Sequence, residues 1–303
     1  MGVSLVLRGR QGTGKGKIFE WYGKLLGPHF VHVSQVSQLI GRFNGHLEGM
    51  LAVFADEAFW AGDKAAEGAL KALVTERESV VERKGIDAIR TTSYVRVLIA
   101  SNNNWVVPAG FEERRFAVFD MSTKHMQDHA YFAAIDEQMK NGGLEALMHH
   151  LVHFDLKSVE LRKIPRTTAL REQQEETADG VTKWWKERLW QGALEPESDR
   201  WPDGEAVPVG ELHQRYLTYA KELGTRWLAP VNVFAKRMRE LLPHLSTVRP
   251  TDKETGERKR SYVIPPLDAC RKHYDDSMGG PSEWPSGSAI LKGILGEGER
   301  SIF

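Results

Sequence analysis

A chain of 303 residues exceeds the roughly 100–200 residues typical of one domain, and two domains are expected. Its 41% apolar and 9% aromatic residues are enough for sizeable cores, which excludes disorder throughout. Forty-one basic and 41 acidic side chains cancel, so any nucleic-acid surface must be a local patch.

One cysteine, Cys270, excludes an internal disulfide and a cysteine-built zinc site, and fits a reducing cytoplasm. No apolar run is long enough to span a membrane. The first eight residues have neither the basic region nor the cleavage signal of an export sequence, so a cytoplasmic protein is expected.

Over residues 1–155, short apolar runs alternate with amphipathic stretches, which predicts an α/β domain built on a parallel sheet. Residues 3–7, 30–33, 51–55, 95–100 and 116–119 read as strands. Between the first two, Ile18, Tyr22, Leu25 and Leu26 recur at helical spacing until Gly27-Pro28 stops the helix, and Leu70, Leu73 and Val74 mark another. Residues 156–180 read as a charged helical connector, whose Arg171, Glu172, Glu175 and Glu176 suggest a solvated face. A smaller second domain is expected over 181–275. From 276 to 303 the Gly, Pro and Ser residues read as a flexible tail ending in a short apolar segment.

The sharpest motif is Gly9-Arg10-Gln11-Gly12-Thr13-Gly14-Lys15-Gly16, between the first strand and the first helix. Gly9, Gln11, Gly12, Thr13, Gly14, Lys15, Gly16 and Lys17 form a candidate cradle for the β- and γ-phosphates of ATP. Backbone N–H groups at a helix N-terminus would face the phosphates and Lys15 would add charge. Gly16 stands where a Ser or Thr hydroxyl normally ligates Mg²⁺, so the metal must lean on other groups.

The strand at 51–55 ends in Asp56-Glu57. Asp56 is the candidate magnesium ligand, and Glu57 the candidate base for a hydrolytic water. A second buried strand ends in Ser101-Asn102-Asn103-Asn104, where Asn102 is placed to orient the water or sense the γ-phosphate. Arg114 and Arg115 precede the next strand. Either is a candidate arginine finger for a neighbouring subunit, against the alternative of an ordinary surface pair.

In the second domain, residues 209–223 and 231–242 are amphipathic helices, followed by a hairpin of 246–249 and 260–264 with its turn at 252–256. Helix, helix and basic hairpin together read as a winged helix. It would present Lys236, Arg237, Arg239, Arg249, Lys253, Arg258, Lys259 and Arg260 to phosphates. His149 and His153 lie one helical turn apart, but no acidic third ligand accompanies them, which argues against a metal site. Trp184, Trp185 and Trp190 are expected in packing rather than base stacking. Ile290, Leu291, Ile294 and Leu295 suit a frayed terminus better than a docking helix.

The order of Gly9–Gly16, Val53-Phe54-Ala55-Asp56-Glu57-Ala58-Phe59-Trp60, Ala100-Ser101-Asn102-Asn103 and Glu113-Arg114-Arg115-Phe116 resembles superfamily 3 helicases. The resemblance is to the helicase part of phage primase–helicase and primase–polymerase proteins, including the deep-sea vent phage type. It implies an AAA+-like P-loop NTPase core, ATP and Mg²⁺ as cofactors, a hexameric ring and translocation on single-stranded DNA in a bacterial or phage-infected cell. It also places a DNA-tracking hairpin between the acidic pair and the asparagines, where residues 79–89 read as a hairpin with Lys84 at its basic tip. The chain starts directly at the nucleotide-binding strand, so a separate primase, polymerase or helical collar polypeptide is the expected partner. Two alternatives carry different chemistry. One is a nucleotide kinase, since Gly14-Lys15-Gly16 resembles the loop of nucleoside monophosphate kinases. The other is a non-catalytic DNA-binding adaptor that uses ATP only to assemble.

Overall fold

The computed structural model describes residues 2–57, 64–160, 163–195, 198, 200–251 and 256–285. The chain divides into two compact units, residues 1–177 and 178–303.

The first unit runs β1 (Ser4–Arg8), α1 (Lys15–Leu26), β2 (Phe30–Val33), α2 (Val36–Ile40), β3 (Ala52–Asp56), α3 (Lys64–Thr75), β4 (Glu78–Val81), β5 (Ile89–Thr92), β6 (Arg96–Ser101), β7 (Phe116–Asp120), α4 (His129–Gln138), α5 (Leu144–Val152) and α6 (Thr168–Thr177). Five strands form a sheet in the order β2-β3-β6-β1-β7, every pairing parallel. Parallel strands are covered on both faces, which is why β3 reads as an unbroken apolar run. Alternate residues divide between two cores. Val53, Ala55, Val97 and Ile99 pack with Leu70 of α3 and Leu170 of α6, while Ala52, Phe54, Leu98 and Ala100 pack with Phe19 of α1. The α/β class with a parallel sheet is therefore as expected, and it is compatible with a nucleotide-binding core. β4 and β5 form a separate antiparallel hairpin, Val80 opposite Arg90.

The connector departs from expectation. Arg171, Glu172, Glu175 and Glu176 do lie on its more exposed side, but Ala169, Leu170, Gln173 and Gln174 are buried, and the helix belongs to the first unit. The reason lies in residues 102–115, which cross from β6 to β7 without forming a helix. A parallel crossover normally supplies its own covering helix. Here α6 packs beside β7 and covers the connection instead. Gln173 is fully buried, its Oε1 accepting from the N–H groups of Val106 at 2.6 Å and Val107 at 3.1 Å, and its Nε2 donating to the Asn104 carbonyl at 2.5 Å. Each of those groups would cost about 1–3 kcal/mol if buried unpaired.

The second unit contains α7 (Gly180–Gln191), β8 (Ala206–Pro208), α8 (Val209–Glu222), α9 (Val231–Leu241), β9 (Ser246–Val248), β10 (Ser261–Val263) and α10 (Leu267–Ser277). Its antiparallel sheet has the order β8-β10-β9. Trp184 and Trp185 sit in the core, Trp184 against Phe234 and Trp185 against Trp201, whereas Trp190 stays partly exposed. The chain beyond 276 is not free as far as 285. Asp275 accepts from the Ser282 N–H at 3.0 Å and the Trp284 indole at 2.8 Å, and Arg271 lies over the Trp284 ring. Ile290, Leu291, Ile294 and Leu295 lie outside the described residues, as do Ala58, Phe59, Trp60 and Lys253.

Candidate functional site

In open parallel sheets, ligands bind beyond the carboxyl ends of the strands. At that end, β1 runs into the glycine-rich turn, β3 into Asp56-Glu57 and β6 into Ser101-Asn102, and these three strands are neighbours. The turn holds Gly12 at φ 82° and Gly14 at φ 87°, conformations that admit glycine without strain. Gly14 also caps α1 without a side-chain hydrogen bond, leaving the first-turn N–H groups to an outside acceptor. The turn is braced by the Gly9 N–H to Ser101 O at 3.1 Å and the Thr13 hydroxyl to Arg10 O at 2.8 Å.

Lys15 is buried, its Nζ 3.6 Å from Glu57 Oε1. Glu57 adopts φ 51°, a strained conformation for a non-glycine residue, and its own N–H donates to Ala100 O at 2.9 Å. Its carboxylate accepts from the Ser101 hydroxyl at 2.8 Å and from the Asn102 N–H at 2.9 Å. With the Asn102 carboxamide turned nitrogen-inward, that side chain donates to the same carboxylate at 2.8 and 3.0 Å. Sequence spacing placed Lys15, Glu57 and Asn102 at one site, and the structure brings them together, with Glu57 hydrogen-bonded to Asn102 and ion-paired with Lys15.

Asp56 stands beside them. Burial pushes its carboxyl above the ordinary aspartate value, His32 opposes this, and the neighbouring Glu57 charge adds to it. His32, on β2, lies 3.8 Å from Asp56 and stacks on Phe54 at 4.6 Å between ring centroids. His32 did not stand out in the sequence, since a histidine within a strand carries no spacing signal, and Ser101 stood only as a member of its motif, with no role assigned.

Lys17 sits away from this group. It is tied to Asp136 of α4 at 3.2 Å, and the same carboxylate accepts from the Trp21 indole at 2.9 Å. α4 and the loop before it lie against the glycines. A Cβ on Gly14 would fall 2.4 Å from the Phe132 ring, and one on Gly12 would fall 2.9 Å from Gln127. Gly16 is different, with nothing within 4 Å of a Cβ placed there.

Arg114 and Arg115 precede β7 and so lie at the amino end of the sheet, opposite the glycine-rich turn. Arg114 is exposed and has no ion pair among the described residues. Arg115 is half-buried, 3.7 Å from Glu113, with its Nε enclosed and unpartnered. Glu113 is itself buried and accepts from the N–H groups of Gly110, Arg114 and Arg115.

The 78–92 hairpin is held by the preceding loop. Asn44 donates to Val80 O and accepts from the Glu82 N–H, both at 2.8 Å, and Arg83 pairs with Glu48. Lys84 at the tip is exposed.

In the second unit Lys236, Arg239 and Arg249 are exposed and form no ion pairs among the described residues. Arg237 differs, because it pairs with Asp179 at 2.6 Å and Glu240 at 2.5 Å, so its charge is already balanced. Lys259 and Arg260 line a cavity of about 720 Å³ with the starting residues of α8 and α9. Arg258 is exposed on the same hairpin.

Residues 7–115 match a family described as of unknown function, DUF5906. Over 234 residues the chain is 22% identical to a DNA primase-polymerase of Nitratiruptor phage NrS-1, an alignment covering 71% of this chain and 32% of that protein. The chain thus spans about a third of its relative's length. The apo structure of the NrS-1 C-terminal region superposes with a TM-score of 0.62 at 17% identity, covering 87% of this chain and 67% of the other. A second apo form of that region gives 0.60 with the same identity and coverage. The fold is shared with that region of a phage primase-polymerase. No helix among the described residues is long and apolar enough to cross a membrane.

Proposed function

We propose that this chain is the ATP-hydrolysing motor of a phage-type DNA replication protein, a superfamily 3 helicase that works as an oligomeric, hexameric ring on single-stranded DNA. The observation that carries this reading is the cluster at the ends of three adjacent parallel strands in which Glu57 is hydrogen-bonded to Ser101 and Asn102 and ion-paired with Lys15, beside a helix start with no side-chain cap. Glycine backbone and free first-turn N–H groups fit an anionic phosphate chain, and residues 9–16 are accordingly a P-loop. When ATP arrives, Lys15 turns from Glu57 to the phosphates and releases the carboxylate to take a proton from water. Asn102, already bonded to Glu57, senses the γ-phosphate.

The acidic pair also fits magnesium, because burial and mutual repulsion leave Asp56 in want of a cation. Asp56 would hold the ion, which when bound neutralises charge on the phosphates. The arginine pair stands too far along the sheet to reach the chain's own turn, so it serves the site of an adjacent subunit. The second unit acts as a winged helix, with α9 and the β9–β10 hairpin presenting Lys236, Arg239, Arg249 and Arg260 to the DNA backbone while Lys84 tracks the strand from the first unit.

The test is ATP hydrolysis with and without single-stranded DNA. Wild type hydrolyses ATP faster with DNA, and Glu57→Gln retains ATP binding while losing about 10²–10⁴-fold in turnover. Unchanged turnover in Glu57→Gln defeats the reading. Phosphate transfer to a nucleoside monophosphate without DNA stimulation would assign a kinase instead.

A further inference from the structure

The 102–115 connection carries the γ-phosphate sensor at one end and the arginine pair at the other, yet it has no helix of its own to hold either. Both ends are fixed by neighbouring residues of α6. Gln173 takes the Val106 and Val107 N–H groups and the Asn104 carbonyl, just behind Asn102. The Trp105 indole donates to the Thr177 hydroxyl at 3.0 Å, one helical turn farther on. Gln174 donates to the Gly110 carbonyl at 2.9 Å, and the Gly110 N–H leads to Glu113, which accepts from both arginine amides.

We propose that α6 couples adjacent ATP sites, with Gln173 positioning the sensor for the chain's own nucleotide and Gln174 positioning the arginine delivered to the neighbour's. This rests on the ATPase reading above. Gln173 and Gln174 project from the same turn of α6, so a shift of the Asn102 loop on γ-phosphate loss that moves this turn displaces the arginine as well. A spent site thereby withdraws its arginine from the next subunit.

The test compares Gln173→Met and Gln174→Met, each near the native side chain in length but without its carboxamide. Gln173→Met exposes the Val106 and Val107 amides to hydrogen exchange about tenfold faster while β1 and β3 amides keep wild-type rates. Its kcat falls about tenfold with KM for ATP unchanged, as expected when a group is misplaced rather than removed. Each variant is then mixed with Lys15→Ala subunits. Gln174→Met recovers activity, because an intact arginine from the Lys15→Ala subunit serves its intact loop, whereas Gln173→Met does not. Should Gln173→Met fail to fold, Thr177→Val, which removes the acceptor of the Trp105 indole, is read on exchange of that indole N–H and on the same kinetics.

Retained amide protection in folded Gln173→Met overturns the proposal, as does the same mixing behaviour for both variants. A wild type that hydrolyses no ATP defeats the motor reading instead, and the exchange rates still decide whether α6 anchors the connection.

Discussion

In the first unit Lys15 and Glu57 at the candidate site are already partnered. Lys15 faces Glu57, Glu57 accepts from Ser101 and Asn102, and Arg8 clamps Asp120 while also reaching Glu172. In the second unit Lys236, Arg239 and Arg249 stand in solvent without ion pairs among the described residues. Under the proposed function the difference matches two kinds of work. A reacting site gains by fixing its dipoles before substrate arrives, so its charges hold one another in place. A surface that tracks phosphates gains by releasing counterions, which requires cations that nothing has yet neutralised. By that measure Arg237, bound between Asp179 and Glu240, belongs with the first kind of residue although it lies among the second.

The largest expected effect tests whether the first unit's site is complete in one chain. Arg114→Ala should keep ATP binding and lower turnover by about 10³–10⁵-fold, the range for an arginine supplied by a neighbour. Mixing it with Lys15→Ala subunits should restore part of the rate. Arg115→Ala belongs in the same series, and if neither loses turnover the site is not shared.

Next comes the contrast within α9. Lys236→Glu with Arg239→Glu should weaken single-stranded DNA binding and reduce the slope of log affinity against log salt by about 1.4, or 0.7 per phosphate contact. Arg237→Ala should leave that slope alone and cost about 1 kcal/mol or less of stability through its ion pairs. A slope change for Arg237→Ala equal to the others would erase the distinction.

A smaller effect concerns Gly16. Since nothing lies near a Cβ there, Gly16→Ser should be accommodated and should lower several-fold the Mg²⁺ concentration for half-maximal ATPase. An unchanged titration would show the ion fully ligated by other groups.

The smallest is Asp136→Asn, on the α1–α4 contact. The Trp21 indole, and then Lys17, hold the Asp136 carboxyl below the usual aspartate range. A lowered folded-state value stabilises above the unfolded pKa of about 3.9 and is lost as pH falls through the folded value. The variant should therefore melt slightly lower at pH 7 and converge with wild type in acid. A gap that persists at low pH would assign the contact to packing.

All five sheet strands of the first unit were legible because buried parallel strands are continuous apolar runs. Lys15, Glu57 and Asn102 were legible because each ends or follows such a run. The second-unit hairpin showed because β9 and β10 flank a polar turn, whereas β8, equally short, pairs with β10 across more than 50 residues and has no adjacent turn to mark it. α6 misled because its polar residues outnumber its apolar ones. Yet Ala169, Leu170, Gln173, Gln174 and Thr177 share one face at helical spacing, and two amides continuing an apolar stripe were the available signal. Arg237 looked like its neighbours because ion pairing with Asp179, 58 residues away, leaves no local trace. The packing of Phe132 on Gly14 was hidden in the same way, since it depends on where α4 falls after β7.

The helix that covers the β6–β7 connection is made late. Gln173 lies 66 residues beyond Val107, so on a ribosome adding about 5–20 residues per second those backbone groups wait roughly 3–13 s for their partner. During that interval the newly made sheet has a bare flank bearing Val106, Val107 and Ala109, all of them fully buried once the helix docks. The nascent chain is then most open to chaperones and to aggregation, and a slow codon run between residues 116 and 167 would lengthen the exposure without changing a single amino acid.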